Sequence, residues 1–455
     1  LNVQGGYVET EELRGFNPDE CEEILAPHVS DDVVDEIIDK IKNAERPVFY
    51  AGNGIRISGG YDSFTKVVEL LGIPVATCWD SIDAIYDEHP YYVGRGGIMG
   101  DRAGNFAVQN SDLVFAVGNR LSIRQVGYSW TTWAREAYVI MNDVDEAELK
   151  KPTLHVDMPV WADAKELLEK LLAKLTKMKE AGEFKDTLSE KSDWVKRCQD
   201  WKAKYPVVLP KHYEDKNHTN VYAFIKELSR RLHENQVTVV GNGSACVVGS
   251  HGYVIKKGQR FIINSAIASM GYDLPAAIGA TVAEFGDEAL YGRSLGKDID
   301  DVILVTGDGS IQMNIQELQT IIHHKMPIKI FIINNQGYHS IRQTQTNLFN
   351  KHFVGIGPQS GDLSFPDMSK LAPAYGYPYF SCDGNEHLGK AIEDTLAVDG
   401  PAICEIFVST EQNFEPKSAT KRLPDGTLVS PPLEDLGPFL DREEFYSNMI
   451  IKPLS

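Results

Sequence analysis

Short apolar runs rich in Val and Ile recur along this chain, each stopping at small or polar residues, with stretches of helical spacing between them. In the C-terminal half, residues 302–306 and 328–333 are such runs, the pattern of strands buried on both faces of a parallel sheet. Between them Ile311, Ile315, Leu318, Ile321 and Ile322 recur at helical spacing, and Pro327 stands just past the helix end. The unit reads strand, loop, helix, strand. A right-handed crossover makes the two strands parallel and brings the loops that leave them to one sheet edge. Earlier in the chain, runs at 47–51, 74–77, 113–117, 138–141 and 153–156 alternate with helical periodicity in the same way. The expected fold class is α/β, with two doubly wound parallel-sheet domains, a central one over residues 21–175 and a C-terminal one over 216–410. Residues 1–20 read as a polar linker and 176–215 as a charged, Trp-bearing helical linker. Residues 411–455, rich in Pro, charge and aromatics, read as an irregular tail that packs over a neighbouring surface.

At 455 residues and 42% hydrophobic, the chain has apolar material for two or three cores. A formal charge of -20 without a basic block argues against nucleic acid or an anionic membrane as partner. No apolar run approaches the roughly 20 residues of a membrane span. No opening segment has the basic-then-apolar pattern of a signal peptide, and Cys21, Cys78, Cys198, Cys246, Cys382 and Cys404 are scattered without a CxxC pair. Both features fit a reduced, cytoplasmic protein with neither a zinc site nor a catalytic cysteine.

Candidate chemistry concentrates in two polar clusters, Gly307-Asp308-Gly309-Ser310 and Asn334-Asn335-Gln336-Gly337, each closing one of the C-terminal runs, with 26 residues between Asp308 and Asn335. The crossover lets Asp308 and Asn335 meet. One carboxylate oxygen, one amide oxygen, a nearby backbone carbonyl and two phosphate oxygens contribute to the hard, octahedral oxygen shell that magnesium prefers. Gly307 and Gly309 let phosphates approach the backbone, and a bound magnesium ion inverts the field that an acidic chain presents to a diphosphate. A third loop, Gly241-Asn242-Gly243-Ser244, follows the run 237–240 and reads either as an ordinary turn or as backbone N–H groups offered to a phosphate.

The GDG cluster, the spacing and the second cluster together resemble the cofactor signature of thiamine diphosphate enzymes, and residues 307–337 look like that stretch in the acetolactate synthase group. The resemblance implies thiamine diphosphate and Mg2+ as cofactors. Gly241, Asn242, Gly243, Gly307, Asp308, Gly309, Ser310, Asn335 and Gly337 would hold them, with Asp308, Asn335 and Gly337 on the metal. Residues 269–280 are similar to the family's AMGFGLPAAIGA element. By that match Met270 lies under the cofactor and bends it, and the carbonyl of Ala268 accepts a hydrogen bond from the aminopyrimidine. The implied reaction is decarboxylation of a 2-keto acid with acyl transfer to an acceptor carbonyl. A simple decarboxylase or oxidase on the same scaffold is one alternative, and a non-catalytic cofactor-binding subunit is another. Met270 and His339 are the candidate catalytic positions. His339 and Arg342 read either as anchors for a substrate carboxylate or phosphate or as solvated helix residues. The segment GYHSIRQTQ and the tail are more like thiamine-diphosphate-binding proteins of nucleotide-sugar and surface-polysaccharide pathways, which implies a keto sugar as acceptor.

Residues 97–100 and 118–127 can be laid without a gap on the FAD-binding stretch of acetolactate synthases, with Gly97, Gly118, Arg120 and Arg124 matching and Asp143 and Asp163 falling at its ribose and adenine contacts. Met99 stands for a histidine there, Ile123 for an aspartate, and Gly52-Asn53-Gly54 for a triple glycine. FAD is implied, with an ADP-type or empty site as the alternative; the loop at 52–60 lacks the GxGxxG spacing of a nicotinamide site. Members of this family also carry an N-terminal pyrimidine-binding domain whose glutamate contacts the aminopyrimidine, and residues 1–16 look like the linker that follows it. The expectation is that this domain lies upstream or on a separate subunit, that the present polypeptide alone binds the cofactor weakly and is inactive, and that the assembly is a homodimer or homotetramer.

Overall fold

The computed structural model describes residues 9–15, 17, 26–183, 192–215, 217–286, 301–419, 421, 422, 425 and 427–454. Cys21 and most of the segment expected as an opening linker lie outside them. Strands β1 (Pro47–Ala51), β2 (Val75–Thr77), β3 (Tyr92–Arg95), β4 (Leu113–Val117), β5 (Tyr138–Asp143) and β6 (Met158–Trp161) form one sheet in the order β3-β2-β1-β4-β5-β6. Every pairing in it is parallel. All five residues of β1 and all five of β4 are buried, because helices cover both faces. Strands β7 (Val237–Val240), β8 (Arg260–Ile263), β9 (Val302–Gly307), β10 (Ile328–Asn334), β11 (Tyr379–Asp383) and β12 (Ala402–Phe407) form a second parallel sheet, in the order β11-β12-β10-β9-β7-β8. The chain is thus α/β with two doubly wound parallel sheets.

Sheet order places the chemistry. Successive strands spread away from β1 and β4 in the first sheet and from β7 and β9 in the second, so the crevice where a doubly wound sheet takes its ligands lies at those two points. Gly241–Gly243 leaves β7 and Gly307–Ser310 closes β9, so both loops flank the second crevice.

Two local expectations shift. The run 153–156 is not a strand; β6 starts at Met158 and contains Pro159. Only an outermost strand tolerates that proline, and Leu154 and Val156 instead pack half-buried against the core. The helix read across 311–322 is split into a 3-10 turn Ile311–Asn314 and a helix Glu317–His324. Side chains of the first turn are held by backbone carbonyls: Gln312 Nε2 donates to the Asp308 carbonyl at 3.2 Å and Asn314 Nδ2 to the Gly271 carbonyl at 2.7 Å.

The helix Ser192–Lys204 lays Trp194, Cys198 and Trp201 into the core of the first sheet, with Trp194 Nε1 donating to the Pro47 carbonyl at 3.0 Å. The C-terminal segment returns over the same domain. Glu434 is buried and ion-paired with Arg135 at 2.8 Å, Arg102 donates to the Leu436 carbonyl, and Asn110 Oδ1 accepts from the Ile450 N–H.

Candidate functional site

Asp308 and Asn335 are each 4% exposed and stand on adjacent strand ends, since β9 pairs directly with β10. The backbone aims the carboxylate: Oδ1 accepts from the Gly309 N–H at 2.9 Å and Oδ2 from the Gly337 N–H at 2.8 Å. Burial pushes the Asp308 carboxyl up to about 7, against those two N–H groups and the Arg342 guanidinium, which lower it. A carboxylate desolvated this far calls for a cation. Gly337 has φ 127, and a Cβ there would lie 1.8 Å from the Ile356 carbonyl oxygen, so the loop that reaches Asp308 admits only glycine.

Asn335 supplies the observation that tests a metal. Its Nδ2 donates to Ser244 Oγ at 3.0 Å, which turns Oδ1 away from Ser244, and that Oδ1 is buried without a hydrogen-bond partner. A buried amide oxygen left without a donor is costly and fits a hard cation shared with Asp308. The Gly337 carbonyl accepts from the His339 N–H at 3.1 Å and keeps its second lone pair. Among the described residues no three His, Cys, Asp or Glu side chains converge as a metal cluster, so an oxygen set of one carboxylate, one amide and one carbonyl is the candidate, and it suits magnesium.

Three further segments close around this pair. Asn242 Nδ2 donates to the Ser269 carbonyl at 2.6 Å, the Gly271 N–H donates to Ser310 Oγ at 3.0 Å, and Ser310 Oγ donates to Asp273 Oδ1 at 3.3 Å. Thr306 Oγ1 donates to the other oxygen of Asp273. The loops holding Gly241, Asn242, Gly243, Ala268, Met270, Gly307, Gly309 and Ser310 are therefore one connected cradle. Ala268 has φ 58, a left-handed conformation that costs a residue with a Cβ roughly 1 kcal/mol or more and clusters at functional sites. Met270 is 39% exposed and Ile267 82%, so this edge of the cradle presents apolar side chains to solvent.

His339 and Arg342 lie behind the loop Asn335–Gly337, not over it. Both are buried; Arg342 donates to the carbonyls of Asn335 at 2.9 Å and Gln336 at 2.7 Å, and His339 Nε2 donates to the Gln412 carbonyl at 2.6 Å. They brace the chain that carries Asn335. Asp273 and the role of Ser244 escape a reading by motif; the signal was a lone acid in an otherwise apolar helix start, Asp273-Leu274-Pro275-Ala276-Ala277.

In the first sheet, Gly97, Gly118, Asp143 and Asp163 follow or end β3, β4, β5 and β6. They share one edge, and the outer strands of this sheet are five spacings of about 4.8 Å apart, roughly 24 Å. A ligand touching all four would lie extended. Asn119, beside Gly118, has a buried Nδ2 without a partner, which fits a polar ligand at that edge. Arg124 lies over the Trp79 ring at 5.1 Å. Two of the residues are already engaged: Arg120 pairs with Glu148 at 2.6 Å, and Asp163 caps the helix Ala164–Glu180 through the Lys165 N–H at 2.8 Å.

Comparison with known proteins matches residues 34–171 to the thiamine pyrophosphate enzyme central domain and residues 241–406 to the thiamine pyrophosphate enzyme C-terminal TPP binding domain. Acetolactate synthase large subunits are among the relatives. That of Cyanidium caldarium is 30% identical over 383 residues, covering 83% of this chain and 60% of its own length. That of Porphyra purpurea is 29% identical over 379 residues, again 83% of this chain and 60% of its own. The isozyme 2 large subunit of Escherichia coli K12 is 27% identical over 422 residues, 91% of this chain and 68% of its own. The chain thus spans 60% of the length of the first two relatives.

Proposed function

Because this chain belongs to the thiamine pyrophosphate enzyme family, we propose that it forms the cofactor-holding part of an acetolactate synthase-like carboligase, which decarboxylates a 2-keto acid and transfers the acyl group to an acceptor carbonyl. The carrying observation is the buried, unpartnered Oδ1 of Asn335 beside the desolvated carboxylate of Asp308. Asp308, Asn335 and the Gly337 carbonyl would hold Mg2+, and the loops Gly241–Gly243 and Gly307–Ser310 would hold the diphosphate. When bound, thiamine diphosphate supplies the electron sink for breaking and making carbon–carbon bonds.

The chain's own residues bind, orient and exclude water. Met270 would support the underside of the cofactor, and the Ala268 carbonyl, set by its left-handed backbone, would accept from the aminopyrimidine. The apolar side chains of Ile267 and Met270 at the open edge are suited to a pyrimidine-binding domain, upstream or on another chain, in a homodimer or homotetramer. The acceptor is read as a keto sugar from the GYHSIRQTQ segment. FAD, extended along the first sheet's edge, would be structural, since carboligation moves no net electrons. No helix among the described residues is long and apolar enough to cross a membrane.

Asp308→Ala tests the site. Removing a metal ligand is expected to weaken Mg2+-dependent uptake of thiamine diphosphate by about 100-fold, the upper range even for residues that only support a metal ligand, while the melting temperature holds or rises as a buried carboxylate is lost. Calorimetric titration reads the affinity and a thermal scan the melting temperature; unchanged affinity would overturn the metal assignment. With the pyrimidine domain supplied, keto-acid turnover giving ligated hydroxyketone products supports the carboligase, and free aldehyde alone supports a decarboxylase.

A further inference from the structure

Asp273 is the first residue of the helix Asp273–Phe285 and is 0% exposed. One carboxylate oxygen accepts from Thr306 at the end of β9; the other accepts from Ser310, 3.3 Å away, whose oxygen in turn accepts from the Gly271 N–H at 3.0 Å. On the remaining side it meets Gly241, where a Cβ would lie 2.3 Å from Asp273 Oδ2. One side chain thus touches or hydrogen-bonds to all three segments that surround the diphosphate position. Burial raises its carboxyl, and the Thr306 and Ser310 hydroxyls together with backbone N–H groups at the helix start lower it. Hydroxyl and N–H donors favour the charged form of this carboxyl, and the low local dielectric transmits the field of that charge to an arriving anion.

We propose that Asp273 is a positioning and specificity residue: it ties the three loops of the cradle together, and its charge makes entry of a diphosphate depend on an accompanying divalent cation. The inference rests on the thiamine diphosphate reading. Asp273 never reaches the metal; it penalises the bare anion, and a cation held by Asp308 and Asn335 offsets that penalty.

The test is an equilibrium titration of the full chain with thiamine diphosphate, once with saturating Mg2+ and once with EDTA, for the parent and for Asp273→Asn. Removing one charge at the spacing of neighbouring loops should tighten metal-free binding about tenfold and change Mg2+-dependent binding less than about threefold. Inorganic diphosphate should show the same narrowing of the metal effect. Asp273→Ser, also neutral, serves as the second variant, and thermal melting establishes that each variant folds. Equal weakening in both conditions, or an unchanged ratio, would overturn the charge role and leave Asp273 a scaffold residue. A parent that takes up neither form with the pyrimidine domain supplied overturns the cofactor reading, and this inference with it.

Discussion

Asn335 shows how one side chain is prepared by another. Its two amide atoms are chemically distinct, and the Ser244 hydroxyl at 3.0 Å from Nδ2 decides which of them faces the Asp308 side of the crevice. Ser244→Ala removes that acceptor while leaving every proposed ligand in place, so metal affinity should fall about tenfold, read as the midpoint of Mg2+-dependent cofactor binding, with little change in melting temperature. At this scale the sequence pointed to much of the candidate site. Asp308 and Asn335 were legible because strand ends fix where their side chains emerge. His339 and Arg342 were legible only as polar residues after a strand, and their burial under the Asn335 carbonyl depends on how the helix His339–Leu348 docks, which no local pattern encodes. Asp273 was hidden for the same reason: its partners Thr306 and Ser310 are over 30 residues away.

Elements were legible where burial on both faces left an unbroken apolar run, as in β1 and β4, and illegible where a polar or cyclic residue breaks it up. β6 carries Pro159, and β11, whose exposed Ser381 and Asp383 alternate with buried Cys382, offers no run at all. β10 contains the opposite case. Lys329 sits within Ile328–Asn334 yet is 0% exposed, ion-paired to Asp301 at 3.2 Å, its ammonium also donating to the Val398 and Gly400 carbonyls. It ties the strand to the turn before β12. Lys329→Ala removes a buried ion pair and leaves the Val398 and Gly400 carbonyls without this donor, and denaturant unfolding should show a loss of about 3 kcal/mol.

Across the whole molecule, the two domains are joined by buried polar contacts that end on the helix leaving the Gly241–Gly243 loop. Arg95 donates to the His251 and Tyr253 carbonyls, each at 2.7 Å, His251 Nε2 donates to the Gly100 carbonyl at 3.2 Å, and Trp79 Nε1 to Cys246 Sγ at 3.3 Å. Burial pushes His251 down to about 4, with Arg95 and His212 adding to the effect and the Gly100 carbonyl opposing it. The unfolded chain, with an ordinary histidine near 6.5, therefore binds the proton first. Stability from this residue is whole above about pH 6.5 and is lost as pH falls toward 4, by up to about 3 kcal/mol at 1.36 kcal/mol per unit. His251→Gln should keep the stability that the parent loses over that window, and paired thermal melts at each pH cancel the opposite slope of Asp308, whose carboxyl is raised. The measurement that bears most directly on the whole account is anomalous diffraction from crystals of this chain grown with Mn2+ and thiamine diphosphate. The account predicts one manganese peak bonded to Asp308, Asn335 Oδ1 and the Gly337 carbonyl, with the diphosphate against Gly241–Gly243 and Gly307–Ser310; a peak elsewhere, or cofactor bound with those three oxygens untouched, would contradict it.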